Sequence, residues 1–320
     1  MKDTQFIYAV SRVRSSEQAL LNAQDMEQLL SLPDVDACLR TLGDKGWNVD
    51  ETVEDMLRQE TEKTWAFITE ICDDHTVFDI LLLRNDFHNL KTQIKSTLTG
   101  VSDPANFLHP AGVDTDLIQA AIMEKNFESL PPFMAAAAES AFEILVGTGD
   151  GQLTDIILDR AQMEAMISFG KASGLPFVAR YAALLVALSN LKIAVRAQKT
   201  GKTAEFLKRA LAPCDNLDID GLALAAAGNR ESLWEFILRT PYSGAVEALN
   251  KSFSAFEKWC DDKIIAFILD VKHKPFGVEP LFAYILAREN EIKMVRIVLS
   301  GIHNDLSKNS IRERLRNLYV

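Results

Sequence analysis

Three short stretches, Asp86-Phe87-His88-Asn89-Leu90-Lys91, Asn190-Leu191-Lys192 and Asn290-Glu291-Ile292, decide how this chain is organised. Their asparagines fall late in helical patterns and are spaced 101 and 100 residues apart. Five residues beyond each stands an aliphatic side chain (Ile94, Val195, Val295), and the next residue is basic (Lys95, Arg196, Arg296). Eleven beyond each stands Gly100, Gly201 or Gly301. Glycine just past a helix accepts the positive φ of a C-terminal cap, and cations in the last turns complement the helix dipole. The spacing therefore predicts three helices that stop in the same way.

Apolar side chains recur at one-face helical spacing along the same segments. The first stripe is Ile80, Leu83, Phe87, Leu90, Ile94 and Leu98, and the second is Phe177, Tyr181, Leu184, Leu188, Leu191 and Val195. The third, Leu281, Ile285, Ile292, Val295 and Leu299, is interrupted where Arg288 occupies a stripe position. Pro176 and Pro280 sit near helix starts, where a missing N–H costs least. A further long helix is expected ahead of each: Thr52 to Cys72, Leu153 to Lys171 and Ala245 to Val271. Leu39-Arg40-Thr41 and Leu238-Arg239-Thr240 lie 199 residues apart, close to the 201 between Asn89 and Asn290.

No segment reads as a buried parallel strand. The expected fold is all-α with three related helical units: 17–100, preceded by an N-terminal segment to make 1–100, then 114–201 and 215–301. Residues 302–320 form a basic C-terminal tail. Stretches 101–113 and 202–214, with Pro104, Pro110 and Pro213, are the expected joints. Such units can close into a ring or funnel, or stack.

The 320 residues, 48% hydrophobic and 25% charged, exclude disordered and fibrous classes, and 15 Gly with 10 Pro favour long helices over many-turned β folds. A formal charge of −11 argues against a nucleic-acid binder. That charge is uneven: Glu17–Asp79 carries 16 acidic and 4 basic residues, whereas Arg288–Val320 carries 7 basic and 4 acidic. The acidic stretch reads as a solvated face or one that attracts a basic partner, and the polarity suits an adapter between two unlike partners. Cys38, Cys72, Cys214 and Cys260 are widely spaced and read as buried thiols of a reducing compartment. The start, Met1 to Phe6, lacks a secretory pattern, and the longest apolar runs, such as Ala182–Leu188, are about a third of the ~20 residues a membrane helix needs. A cytoplasmic protein without a transmembrane segment is expected.

Catalytic signatures are weak throughout. Gly201-Lys202-Thr203 resembles the end of a phosphate-binding loop, but Arg196 stands where the required glycine would be and a helix precedes it. Gly147–Gly151 lacks dinucleotide-binding spacing and reads as a flexible turn. Cys72, Asp73, Asp74 and His75 are adjacent residues that cannot all converge on one ion, and Asp73 and Asp74 read as helix caps. No catalytic, cofactor-binding or metal-ligating residue is expected.

Near the N-terminus, Tyr8-Ala9-Val10-Ser11-Arg12-Val13-Arg14 begins a resemblance that runs through the Asn89 and Asn190 motifs and Leu238-Arg239-Thr240-Pro241-Tyr242. It ends in Phe276-Gly277-Val278-Glu279-Pro280-Leu281, Ala283-Tyr284, Glu291-Ile292, Arg296 and Ile311-Arg312-Glu313-Arg314-Leu315. Over essentially its whole length the chain resembles the C subunit of V/A-type ATPases, the family that includes the d subunit of the vacuolar enzyme. The resemblance implies three similar helical domains around a central socket, funnel-like and pseudo-threefold. It also implies a non-catalytic rotor component on the cytoplasmic face of a membrane proteolipid ring, receiving the foot of the central shaft and passing torque. Ala187 departs from the family, which often has an acid three residues before the second asparagine, as Asp86 does before Asn89.

Candidate partner-facing residues are Arg12, Arg14, Asp86, Asn89, Lys95, Asn190, Arg196, Glu291 and Arg296. A cytoplasmic helical-repeat scaffold outside any rotary ATPase would share the periodicity but not the terminal motifs. A helical enzyme would need a convergent pocket of titratable groups.

Overall fold

A computed structural model of the chain describes residues 6–100 and 103–320; Met1–Gln5 of the expected leaderless start and Val101–Ser102 of the first joint lie outside them. The described residues are all-α, without strands. The helices are α1 (Ile7–Glu17), α2 (Ala23–Ser31), α3 (Val35–Asp44), α4 (Val53–Ile71), α5 (Asp79–Thr99), α6 (Thr115–Glu124), α7 (Pro132–Thr148), α8 (Gly151–Ala172), α9 (Pro176–Lys199), α10 (Ala204–Ala210), α11 (Ile219–Ala227), α12 (Arg230–Leu238), α13 (Gly244–Lys251), α14 (Phe253–Leu269), α15 (Glu279–His303) and α16 (Lys308–Arg312). They gather into two compact units, one of Met1–His75 with Glu247–Val320, the other of Thr76–Val246.

The continuous unit is organised by α5, α7 and α9, which run against α8. Lys91 and Lys95 of α5 reach Asp159 and Asp155 of α8 at 2.6 and 2.7 Å, an antiparallel register. Phe133 of α7 lies 6.2 Å from Phe87 and 5.3 Å from Phe169, ring centre to ring centre, joining the start of α7 to the end of α8. Gly170 lets α8 and α9 meet closely, because a Cβ there would stand 2.8 Å from Ala182 Cβ. Helix α9 is long and apolar enough to cross a membrane by length and composition, but it packs here on α8, α10 and α11. Gly100, Gly149 and Gly201, with φ of 68°, 69° and 64°, follow α5, α7 and α9 at the same end of this unit. Gly147–Gly151, expected as a flexible turn, is a tight junction: Asp150 caps α8 through the Leu153 N–H at 2.9 Å.

The other unit joins the two ends of the chain. Its apolar core draws Leu21, Met26, Leu29, Leu30, Leu42, Met56 and Leu57 from the first segment, and Ile292, Met294, Val295, Val298, Leu299 and Ile311 from the last. Burying each such side chain contributes about 1.5–3 kcal/mol. Helix α15 crosses α4, and Arg288, which breaks the apolar stripe, lies in that crossing. Its guanidinium pairs with Glu60 at 2.5 Å and with Glu291, and stacks over the Trp47 ring at 5.6 Å. Glu291 also accepts the Leu21 N–H, so the cluster ties the α1–α2 connection to both long helices.

Two expectations are corrected here. Gly301 does not end the third helix, which runs on to His303. The glycine serves packing instead: a Cβ there would stand 2.6 Å from Ile311, so only a bare Cα lets the C-terminal segment close on α15. The helix expected over Ala245–Val271 is two helices, because Ser252 takes an extended conformation and its hydroxyl caps α14 through the Ala255 N–H at 2.9 Å. The stripes are otherwise buried as expected, except Leu184, which is half-buried, and Leu98, which is 57% exposed.

Removing the shared cation strands two buried carboxylates. Arg288→Met is expected to destabilise the unit by about 3–5 kcal/mol, read by chemical denaturation; an unchanged midpoint would mean the cluster is dispensable.

Candidate functional site

The repeated asparagines share one chemical task. Asn89 is fully buried on α5; its side-chain N–H₂ donates to the Leu108 carbonyl at 3.0 Å, while its Oδ1 accepts the Leu108 N–H at 2.7 Å. Asn190 on α9 does the same with Ala212, at 2.9 and 3.0 Å. Asn290 on α15 donates to the Asn317 carbonyl at 3.0 Å. Asn89 and Asn190 thus each hold both backbone groups of one residue in the segment that returns along the helix, whereas Asn290 holds a carbonyl alone. Only asparagine or glutamine carries donor and acceptor on one planar group, and asparagine's short stem holds them rigidly.

Around Asn89 the grip extends over neighbouring side chains. Asn85 donates to the Pro110 carbonyl at 2.7 Å, His88 Nε2 lies 3.2 Å from the Asn106 carbonyl, and Asp86 accepts the Gly112 and Val113 N–H groups at 2.7 and 3.0 Å. The Asp86-Phe87-His88-Asn89 motif is thus a clamp for loop 104–113, with Phe87 pointing into the core. Burial raises the Asp86 carboxyl above its ordinary range, although both backbone donors favour the ionised form. In α9, Ala187 takes the equivalent place, and only the asparagine remains.

Four candidate partner-facing residues are thereby corrected. Asp86, Asn89, Asn190 and Glu291 are buried, their polar atoms committed to backbone or to Arg288, so they shape the fold rather than offer a surface. The five cations behave differently. Arg12 bonds the Tyr8 hydroxyl at 2.7 Å and Glu70 at 3.2 Å, and it faces the Phe67 ring. Arg14 grips both Glu17 oxygens at 2.6 and 2.8 Å and the Lys274 carbonyl at 3.0 Å. Lys95 pairs with Asp155 and Arg296 with Glu54 at 2.8 Å, and Arg196 is exposed near the end of α9.

The acidic first segment and basic last segment, read as faces for two unlike partners, are complementary to each other. Arg288 meets Glu60, Arg296 meets Glu54, and Arg312 meets Glu27 at 2.7 Å. The basic tail is correspondingly pinned. Arg316 reaches Asp261 at 2.8 Å, the Asn317 N–H reaches Asp262 at 2.7 Å, and the buried Tyr319 donates its hydroxyl to Glu17 at 3.1 Å. Burial and the Glu17 charge push the Tyr319 phenol up to about 12.

The motifs set aside in sequence have structural roles. Thr203 of Gly201-Lys202-Thr203 caps α10, and Lys202 bonds Gln152 at 2.9 Å and covers the Phe206 ring. Cys38, Cys72 and Cys260 are buried thiols, and Cys214 is half-buried. Sequence reasoning missed the Glu60–Arg288 pair, whose signal was the charge inside an apolar stripe, and the loop-gripping roles of Asn85 and His88.

The described residues thus form an all-α fold whose asparagines on α5, α9 and α15 hold returning backbone. Residues 9–314 match the model of the ATP synthase (C/AC39) subunit family. The C subunit of the V-type sodium ATPase of Enterococcus hirae is 23% identical over 96% of this chain and 97% of its own length. The C subunits of the A-type ATP synthases of Desulfurococcus sp. strain SY and Methanocaldococcus jannaschii are 23% and 24% identical, each over 98% of this chain. The chain belongs to the ATP synthase (C/AC39) subunit family, and it is similar to these V-type and A-type proteins over 97%, 91% and 86% of their own lengths.

Two outcomes follow from the clasps. Asn190→Ala removes the partner of the Ala212 N–H and C=O in the interior and is expected to cost about 1–3 kcal/mol, with faster amide exchange at Ala212; unchanged exchange would contradict the clasp. For Asp86 the folded-state pKa is raised, so the folded chain binds the extra proton more tightly and this group's contribution falls as pH rises from the ordinary value of 3.8 through the raised one. The stability of the wild type relative to Asp86→Asn is therefore expected to decrease with rising pH across that window, as measured by urea titrations; an increase would reverse the assignment.

Proposed function

We propose that this chain is the non-catalytic central-stalk component of a V/A-type rotary ATPase. In this reading it sits peripherally on the cytoplasmic side of a membrane, seated between the central shaft and the proteolipid ring, and passes torque that couples ATP hydrolysis or synthesis to ion transport. The observation that carries the reading is the family match over residues 9–314, with relatives aligned over nearly their full length. Three helical domains, 1–100, 114–201 and 215–301, with 302–320 closing the chain, would surround a socket for the shaft. Supporting a repeat, an asparagine at the same phase of α5, α9 and α15 holds backbone of the segment that follows its helix.

Torque transmission requires a body that does not shear. Arg288 locks α15 to α4, and glycine-permitted close crossings at Gly170 and Gly301 leave little room for sliding. Arg12, Arg14, Lys95, Arg196 and Arg296 remain the proposed partner-facing residues.

Co-expression with the shaft proteins and the proteolipid ring of its own complex is expected to recover this chain in the assembled rotor. Recovery of the other components without it, or robust ATP hydrolysis by the isolated chain, would overturn the reading. Reversing charge at Arg196→Glu together with Arg296→Glu is expected to weaken shaft capture about tenfold, the effect of roughly 1.4 kcal/mol, and unchanged capture would remove those two residues from the interface.

A further inference from the structure

Residues 315–320 follow α16 without regular structure, and side chains of other segments meet their backbone groups. Met294 Sδ accepts the Arg316 N–H at 3.0 Å, and Asp262 accepts the Asn317 N–H at 2.7 Å. Asn290 donates to the Asn317 carbonyl at 3.0 Å, and Lys272 donates to the Tyr319 carbonyl at 2.7 Å. A helix answers the same need with its own carbonyls; here it is answered one group at a time from α14, α15 and the loop after α14.

Two side chains anchor the stretch. Arg316 pairs with Asp261 of α14 at 2.8 Å, the two side chains being 9% and 14% exposed. Tyr319 is buried, donates its hydroxyl to Glu17 of α1 at 3.1 Å and carries the Lys272 ammonium over its ring at 5.1 Å. These bonds close a circuit. Arg14, one turn before Glu17, grips that carboxylate and the Lys274 carbonyl at 3.0 Å, and Lys272, two residues back along the loop, returns to Tyr319. Three members of the circuit, Arg14, Glu17 and Lys272, line a cleft of about 610 Å³.

The stretch has little apolar burial of its own. Asn317 and Val320 are exposed, and Leu315 and Leu318 are only half-buried against the core. A segment held by separate side-chain bonds, without a backbone ladder, opens at lower free energy than the helices it crosses. Members of one bonded network also lose their partners together.

We propose that residues 315–320 form a latch. They release from α14 and α15 as one piece, and the last turn of α1 and the loop 272–275 loosen with them, while the core around α15 stays folded. The latch belongs to this unit alone and does not require the rotor reading.

The test is native-state hydrogen exchange on the purified full chain, read amide by amide. Arg316→Met removes the pair with Asp261, and Lys272→Met removes the hold on Tyr319 from outside the stretch. Each is expected to speed exchange at least about tenfold at Asn317 and, to a similar extent, across Arg14–Glu17 of α1. Exchange at Val295 and Val298 of α15 is expected to stay unchanged, which also shows that each variant is folded. Faster exchange confined to residues 316–317 would make the anchors independent and overturn the latch. Faster exchange that reaches α15 equally, or none in either variant, would overturn it as well.

Discussion

Helices that end must hand the chain back, and the returning backbone carries peptide groups that tolerate burial only when paired. In this protein that requirement is met by an asparagine on each of three long helices. An amide that donates to the carbonyl and accepts from the N–H of a single residue, as at Asn89 and Asn190, fixes the height and direction of the returning segment along its helix. Asn290 holds the C-terminal segment by one bond, to the Asn317 carbonyl, while the Asn317 N–H goes to Asp262. The loop clamp around Asp86 and the closing of the tail build on where that backbone is held.

Charge does a different job. Surface pairs such as Lys91–Asp159 contribute about 0–1 kcal/mol each and serve mainly to set register. The Glu60–Arg288–Glu291 cluster is removed from water, and its desolvation cost offsets much of its attraction, so its worth lies in what mispairing would cost. A crossing of α4 and α15 in any other register would strand a guanidinium between apolar side chains. The burial that raises the Glu291 carboxyl is the same burial that makes the arrangement selective.

Much of this was legible in sequence because repetition exposes it. Period, stripe and glycine spacing identified α5, α9 and α15 together with the caps at Gly100 and Gly201. Gly301 deceived because a glycine needed for close approach looks the same as one needed for positive φ; only Ile311, brought back from ten residues on, tells them apart. Polar residues at fixed phase were read as surface, yet Asn89, Asn190 and Glu291 are buried, since a motif preserves backbone grips as readily as binding contacts. The opposed charges of the two chain ends were visible, but that they meet is a matter of tertiary contact, which local spacing does not encode.

Because its two halves stand at opposite ends of the chain, the discontinuous unit has a history as well as a structure. A ribosome adding ~5–20 residues per second needs about ten to thirty seconds to pass through Thr76–Val246, during which Leu29, Leu42 and Met56 lack the Ile292, Val295 and Val298 side of their core. The acidic side chains of that first segment keep it dispersed while it waits. The charge that later meets Arg288, Arg296 and Arg312 thus first acts as a solubiliser, and the last helices to emerge convert it into a lock.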